Sequence, residues 1–203
     1  MLKKIKKMKY NNIFWLEDHP DDLIGIDQTE NVSLTEVLHS TTMAHDYVTG
    51  REIVSEEDFD LYVLDGDFPY QIAEQHMEKV AECMELMKNG KFKDVEKIKE
   101  ITQGANNMFA EFYLNNKDDI NGDVVVFSRS QLVPHLASRM GLPCYSKQSF
   151  SEDVIRRRVM TAEGRSMFEI RIALPESISA RIPSDIDRWE CGNVRDFVAR
   201  YLK

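Results

Sequence analysis

Long apolar runs are missing from this 203-residue chain: no stretch of 18 or more apolar residues occurs, so no membrane span is expected. An excess of basic residues is missing too. Twenty-six Lys and Arg stand against 35 Asp and Glu, a formal net charge of -9, so a broad phosphate-neutralising face and direct nucleic-acid binding are not expected. Cysteine is scarce. Cys83, Cys144 and Cys191 are far apart and odd in number, with no pair at zinc or redox spacing, which points to reduced thiols in a cytoplasmic protein. The histidines (His19, His39, His45, His76, His135) are equally scattered and offer no transition-metal pair at ligand spacing. There is no internal repeat, low-complexity tract or helix-turn-helix pattern to suggest an output domain of that kind. The first nine residues are basic but lack the apolar core of a signal peptide, and 1–9 reads as a solvated tail.

What is present is an ordinary globular composition, 42% hydrophobic and 30% charged, on a length that buries one sizeable core with an appendage. Strand-like and helix-like patterns alternate. Ile13-Phe14-Trp15-Leu16 and Leu61-Tyr62-Val63-Leu64 are short apolar runs of the buried parallel-strand kind, as is Val124 to Phe127, and Pro143 to Ser146 is a short last one. Glu36-Val37-Leu38-His39 is a weaker strand candidate. Asp21 to Ile26 suits a helix start, Ala44, Tyr47, Val48 and Ile53 outline a second helix, and Leu132, Leu136 and Met140 a third that stops at Gly141. The expectation is an α/β fold: a doubly wound, parallel, five-stranded sheet over residues 10–160.

Two segments fall outside that plan. Ala73, Met77, Val80, Met84 and Met87 form one apolar helical stripe, and Phe92, Val95, Ile98, Ala105, Phe109 and Phe112 outline another, with Asn89-Gly90 as a stop between them. Residues 71–116 therefore read as an inserted helical hairpin whose stripes pack on each other and on the domain; a homodimer or partner surface is the other use for them. Residues 161–203 read as a C-terminal extension, with Phe168, Ile170, Ile172 and Leu174 alternating as a strand after a helix at about 152–160. Asn193 caps a last helix carrying Val194, Phe197, Val198, Tyr201 and Leu202. Such a short extension is expected to pack on the main domain.

The chemistry concentrates just after the strands. Glu17 and Asp18 follow the first run, Asp65 the second, Ser128 the third and Lys147 the last. In an open parallel sheet, ligands bind at the carboxyl ends of the strands. Three acids brought to one edge repel one another unless a cation sits between them, and all-oxygen ligation favours a hard ion such as Mg2+. A hydroxyl and an ammonium beside them suit the oxygens of a phosphoryl group in transfer, with a carboxylate as acceptor. Any one of these residues alone reads equally well as a helix cap, a turn residue or a solvated charge.

Phe14 through Pro20 resembles the first strand and acidic pair of response-regulator receiver domains of two-component signalling, many of which continue with His-Pro. Leu61 through Pro69 resembles the receiver phosphorylation strand, with a proline four residues beyond the aspartate; Val124 to Ser128 and Tyr145-Ser146-Lys147 resemble the strands that carry its Ser/Thr and Lys. The resemblance covers about residues 10–160 less the insertion, and implies a flavodoxin/CheY-like sheet. It also implies Asp65 as phospho-acceptor, Asp18 as direct and Glu17 as water-mediated Mg2+ ligands, and the Asp67 carbonyl as a further ligand. Ser128 and Lys147 then hold the phosphoryl oxygens. A histidine kinase or phosphotransfer protein and a downstream protein target are the implied partners. Arg129 stands where receivers carry a small residue, Gln148 where they carry proline, and Cys144 in place of the switch aromatic, with Tyr145 one position later.

Other readings remain open. Asp65-Gly66-Asp67 is similar to the Asp-x-Asp of haloacid-dehalogenase-type phosphatases, although that family normally begins with this strand and here Glu17-Asp18 precede it. A Toprim-like nuclease using Glu17, Asp65 and Asp67 leaves Ser128 and Lys147 unexplained. A phosphorylation-independent pseudo-receiver, serving as an interaction module, is the remaining alternative.

Overall fold

The computed structural model describes residues 8–24, 34–96, 98, 105–106, 108–129, 133–147 and 191–203. Its frame is set by runs that are apolar on both faces. β1 (Ile13–Leu16) and β3 (Leu61–Leu64) are buried at every position, which suits strands covered by helices on both sides. β2 (Thr41–Ala44) pairs with β1, β1 with β3, β3 with β6 (Asp123–Ser128) and β6 with β7 (Cys144–Ser146), all parallel. β8 (Cys191–Gly192) adds a short sixth parallel strand beside β7, giving the order β2-β1-β3-β6-β7-β8. The order reverses between β1 and β3, so the chain leaves these two neighbours in opposite directions. Such a reversal is where an open α/β sheet opens a crevice for a ligand.

Side chains alternate between two cores. Ile13, Trp15, Leu61, Val63, Val125 and Phe127 face one side; Phe14, Leu16, Tyr62, Leu64 and Val126 face the other. α1 (Leu34–His39) covers the first side with Leu34, Val37 and Leu38. α2 (Tyr47–Glu56) and a helix near the end of the sheet, Val133–Arg139, cover the second with Tyr47, Val54, Val133, Leu136 and Ala137. Among the described residues, no helix is long and apolar enough to cross a membrane.

Several expectations are corrected. Glu36 to His39 is helical, and the strand is the next segment, Thr41–Ala44. Leu34, Val37 and Leu38 sit at helical spacing and bury together, while Thr41 Oγ1 donates to Val37 O at 2.7 Å and ends the helix. The helix expected through Ala44 starts only at Tyr47, because the Asp46 carboxylate caps it by accepting from Thr49 N at 2.8 Å. The helix start expected at Asp21 opens as a 3-10 turn, Pro20–Leu23, led by the proline, and Ile24 is helical, while Gly25 and Ile26 lie outside the described residues.

The expected hairpin over 71–116 is replaced by a crossing. α3 (Glu74–Lys88) ends at Gly90, whose φ of 72° suits a left-handed stop. Val80, Cys83, Met84 and Met87 of α3 pack on the α1 side of the sheet. The second helix, α4 (Met108–Asn115), is shorter than its stripe and packs Phe109 and Phe112 on the opposite side. Between them lie a 3-10 turn at Phe92–Asp94 and the two-residue β5 (Ala105–Asn106), which pairs antiparallel with β4 (Asp67–Phe68). The first stripe is thus core on the α1 side, joined there by Phe92, Val95 and Ile98 of the second, while Phe109 and Phe112 are core on the opposite side.

The chain passes from one side to the other between Phe68 and Ile72, which belong to different cores. The buried Asp46 holds this crossing. Its second carboxylate oxygen accepts from Ile72 N at 2.9 Å, and Tyr47 N and Val48 N donate to Pro69 O and Tyr70 O. The crossing therefore lies at the carboxyl edge of the sheet, close in sequence to Asp65.

At the other end, α5 (the Val133–Arg139 helix) stops at Gly141, φ 72°. The last helix, α6 (Val194–Phe197), carries a capping box: Asn193 Oδ1 accepts from Arg195 N and Asp196 N, and Asp196 accepts from Asn193 N. It runs on into a wider turn, Val198–Leu202. Phe197 stacks on Phe127 at 4.5 Å and meets Trp15 edge-on, so this last helix closes the α1 side of the sheet. The expected helix at 152–160 and strand at 168–174 lie outside the described residues.

Candidate functional site

Register places the chemistry. Glu17 N donates to Ala44 O and Asp65 N to Leu16 O, both at 2.9 Å, so the residues that follow β1 and β3 emerge at one level. Lys147 N donates to Ser128 O at 3.0 Å, which puts the residue after β7 beside the last residue of β6. Glu17, Asp18, Asp65, Ser128 and Lys147 are consequently brought to one edge by four adjacent strands.

The centre of the site is the Lys147 ammonium, with its side chain only 3% exposed. It lies 2.7 Å from Asp65 Oδ2 and 2.7 Å from each oxygen of the fully buried Glu17 carboxylate. Glu17 Oε2 has that ion pair but no hydrogen bond of its own. Asp65 Oδ1 accepts from Gly66 N at 2.6 Å. Asp18 is buried as well, and Glu17, Asp18 and Asp65 each bring a carboxylate oxygen within 4.8 Å of the others. Gly66 has no room for a side chain: a Cβ there would fall 2.5 Å from Ser128 Oγ, so the buried hydroxyl lies directly against the Asp65 loop.

Electrostatics follow from crowding acids in a place with little water. Burial pushes the Glu17 carboxyl well above its ordinary range, with Lys147 pulling it back and Asp65 and Asp18 pushing further. Burial and then the Asp65 charge raise Asp18 to about 7. The same two causes raise Asp67 to about 6. Burial alone would lower Lys147, but Asp65, Glu17 and Asp22 together outweigh it and hold the ammonium charged. One buried ammonium thus sits among more carboxylates than it can neutralise.

A hard cation suits this donor set. The three clustered carboxylates supply oxygens only, and Glu17 Oε2 is a buried acceptor without a hydrogen bond. Asp67 stands apart. Its side chain does not join the three-carboxylate cluster; it lies in β4, and its Oδ1 is buried without a hydrogen-bond partner.

Two neighbours escaped the reading of the sequence as site residues. Asp22, in the 3-10 turn after β1, is ion-paired through Oδ1 with Arg129 and through Oδ2 with Lys147 at 3.7 Å. Its position five residues after Glu17 was a signal, but acids there read equally as helix-start charges. His45 follows β2, and its Nδ1 donates to the Glu17 backbone carbonyl at 2.6 Å, burial keeping its pKa low. His19 lies 3.8 Å from both Asp18 and Asp21, and the neighbouring Asp21 carboxylate raises its pKa, against burial and with help from Asp18. Gln148, where the resemblance lacks its proline, lies outside the described residues. No family model, curated protein or solved structure matches this chain.

Proposed function

We propose that this chain is a receiver-type phospho-acceptor of two-component signalling that takes a phosphoryl group on Asp65 in the presence of Mg2+. The observation that carries this reading is the 2.7 Å contact between Asp65 Oδ2 and the buried Lys147 ammonium, beside the Glu17–Asp18 pair. The strand order β2-β1-β3-β6-β7 agrees with flavodoxin/CheY-like sheets, whose ligand lies at the switch point between the first and third strands.

In the transfer, an Asp65 oxygen forms a P–O bond as the donor's own P–O or P–N bond breaks, and the donor leaves as its carboxylate or amine. Asp18, Asp65 and the Asp67 carbonyl, with Glu17 through water, would hold Mg2+, which would neutralise charge on the phosphoryl oxygens. Lys147 already touches the acceptor, its ammonium 2.7 Å from Asp65 Oδ2. Ser128 offers a hydroxyl against the same loop. Output then passes through protein contacts, with a histidine kinase or phosphotransfer protein upstream and a protein target downstream. The test is the chemistry of the adduct: one phosphate per chain, stable in acid and labile in base. A phosphate on a hydroxyl, which survives mild base, contradicts it.

One observation favours a second reading, a haloacid-dehalogenase-type phosphatase. Asp67, two residues past the acceptor, has a buried, unpartnered oxygen and a carboxyl raised to about 6, as a general acid requires. Sustained release of inorganic phosphate from a small phosphoester favours it over the receiver. Within the receiver reading, Asp67 orients water toward the acyl phosphate and shortens its life. Asp67→Asn is then expected to hold the phosphate about tenfold longer or more; decay as fast as the parent's, followed by loss of radiolabel, contradicts that role.

A further inference from the structure

We propose that Arg129 is the anion-capturing arm of this site, resting on Asp22 at the rim and turning onto a phosphoryl oxygen once Asp65 carries the group. The inference rests on the phospho-acceptor reading of Asp65. Its starting point is that Lys147 is committed. An ammonium has three donors, and this one has Glu17 and Asp65 at 2.7 Å and Asp22 at 3.7 Å around it, with almost no exposure to water. A phosphoryl group adds close to two negative charges to a pocket that already holds Glu17, Asp18, Asp22 and Asp67. A further mobile cation at the mouth matches that demand.

Arg129 is placed to supply it. It directly follows Ser128, whose hydroxyl lies against the Asp65 loop. Its guanidinium pairs with one oxygen of Asp22 while Lys147 lies near the other, so the two cations straddle a single carboxylate. When Arg129 leaves, Asp22 keeps Lys147. The Arg129 side chain is 59% exposed, so its guanidinium has solvent to swing through, while the nearly buried Asp22 retains Lys147 at 3.7 Å as a counter-charge. The planar guanidinium also presents paired donors suited to phosphoryl oxygens, which an ammonium does not.

Beryllofluoride, which mimics a phosphoryl group on a carboxylate, provides the test on the full chain at fixed Mg2+. Fluorine NMR titrations would compare the parent with Arg129→Ala and Arg129→Lys, and Mg2+ affinity would be measured separately without beryllofluoride. Arg129→Ala is expected to weaken beryllofluoride binding about tenfold, with Arg129→Lys recovering part of it. Mg2+ affinity should stay level or tighten, because a positive charge beside the carboxylates has been removed. Equal beryllofluoride affinity in parent and Arg129→Ala, or parallel losses for both ligands, overturns the role of Arg129 while leaving Asp65 as acceptor. A parent that binds Mg2+ but not beryllofluoride overturns the phospho-acceptor reading and this inference with it.

Discussion

Lys147→Met is expected to destabilise the metal-free protein by about 3–5 kcal/mol near pH 8, because it strips the one buried cation from Glu17, Asp65 and Asp22. For a chain of this size that corresponds to a fall in melting temperature on the order of 10 °C. The loss should shrink toward pH 5. There Glu17 and Asp18, whose ionised forms are disfavoured by burial, take up protons and relieve the repulsion without the lysine. Saturating Mg2+ should restore much of the stability, since it returns positive charge to the same carboxylates. Thermal melts at pH 5 and 8, with and without Mg2+, check all three points. A pH-independent loss that Mg2+ does not touch contradicts the electrostatic account and leaves only lost packing.

Asp18→Asn is expected to act in the opposite direction on the metal-free fold. The Asp18 pKa is raised from 3.8 to about 7, so between those values the folded chain holds a proton that the unfolded chain has released. Stability then falls as pH rises through that window, by about 1.4 kcal/mol per unit at the steepest, and levels off above pH 7. Asparagine removes this slope, so the variant gains on the parent from about pH 4 upward and most at pH 7 and beyond. The difference between the two isolates Asp18 from His45, whose lowered pKa contributes the opposite slope in acid. Mg2+ reverses the ranking. At a hundred times its dissociation constant it should stabilise the parent by about 2.7 kcal/mol, and the variant far less, because one member of the three-carboxylate cluster is gone. A variant that is less stable than the parent without metal, or equally stabilised by Mg2+, contradicts the assignment of Asp18.

The contrast between β1 and β2 explains how far the fold was legible. Ile13 to Leu16 is apolar at every position, preceded by two asparagines and followed by two acids, so it reads as a buried strand without help from the rest of the chain. Thr41 to Ala44 lies at the sheet edge and is only half buried in its middle. Its neighbours Val37 and Leu38 carry the stronger apolar signal, and four residues cannot separate a strand from one turn of helix. The stripes in 71–116 report that α3 and α4 each have a buried face, but not what covers it. Only the crossing between Phe68 and Ile72, clamped by Asp46, sends α3 to the α1 side, and the chain returns to the other side between Ile98 and Phe109.

The site was legible to the same depth. Glu17, Asp18, Asp65, Ser128 and Lys147 each follow a strand in order, and parallel pairing converts that order into one cluster. Asp22 and His45 sit on a turn and after an edge strand, where local pattern carries no mark of proximity to Glu17. Their roles appear only when the carboxyl edge is assembled.

The most direct measurement is the intact mass of the chain after incubation with Mg2+ and a small-molecule phosphodonor, beside Asp65→Asn and a chelated control. One added phosphate is expected on the parent with Mg2+, and none on Asp65→Asn or on the parent with chelator. An unmodified parent, or a phosphate that persists on Asp65→Asn, contradicts the phospho-acceptor reading.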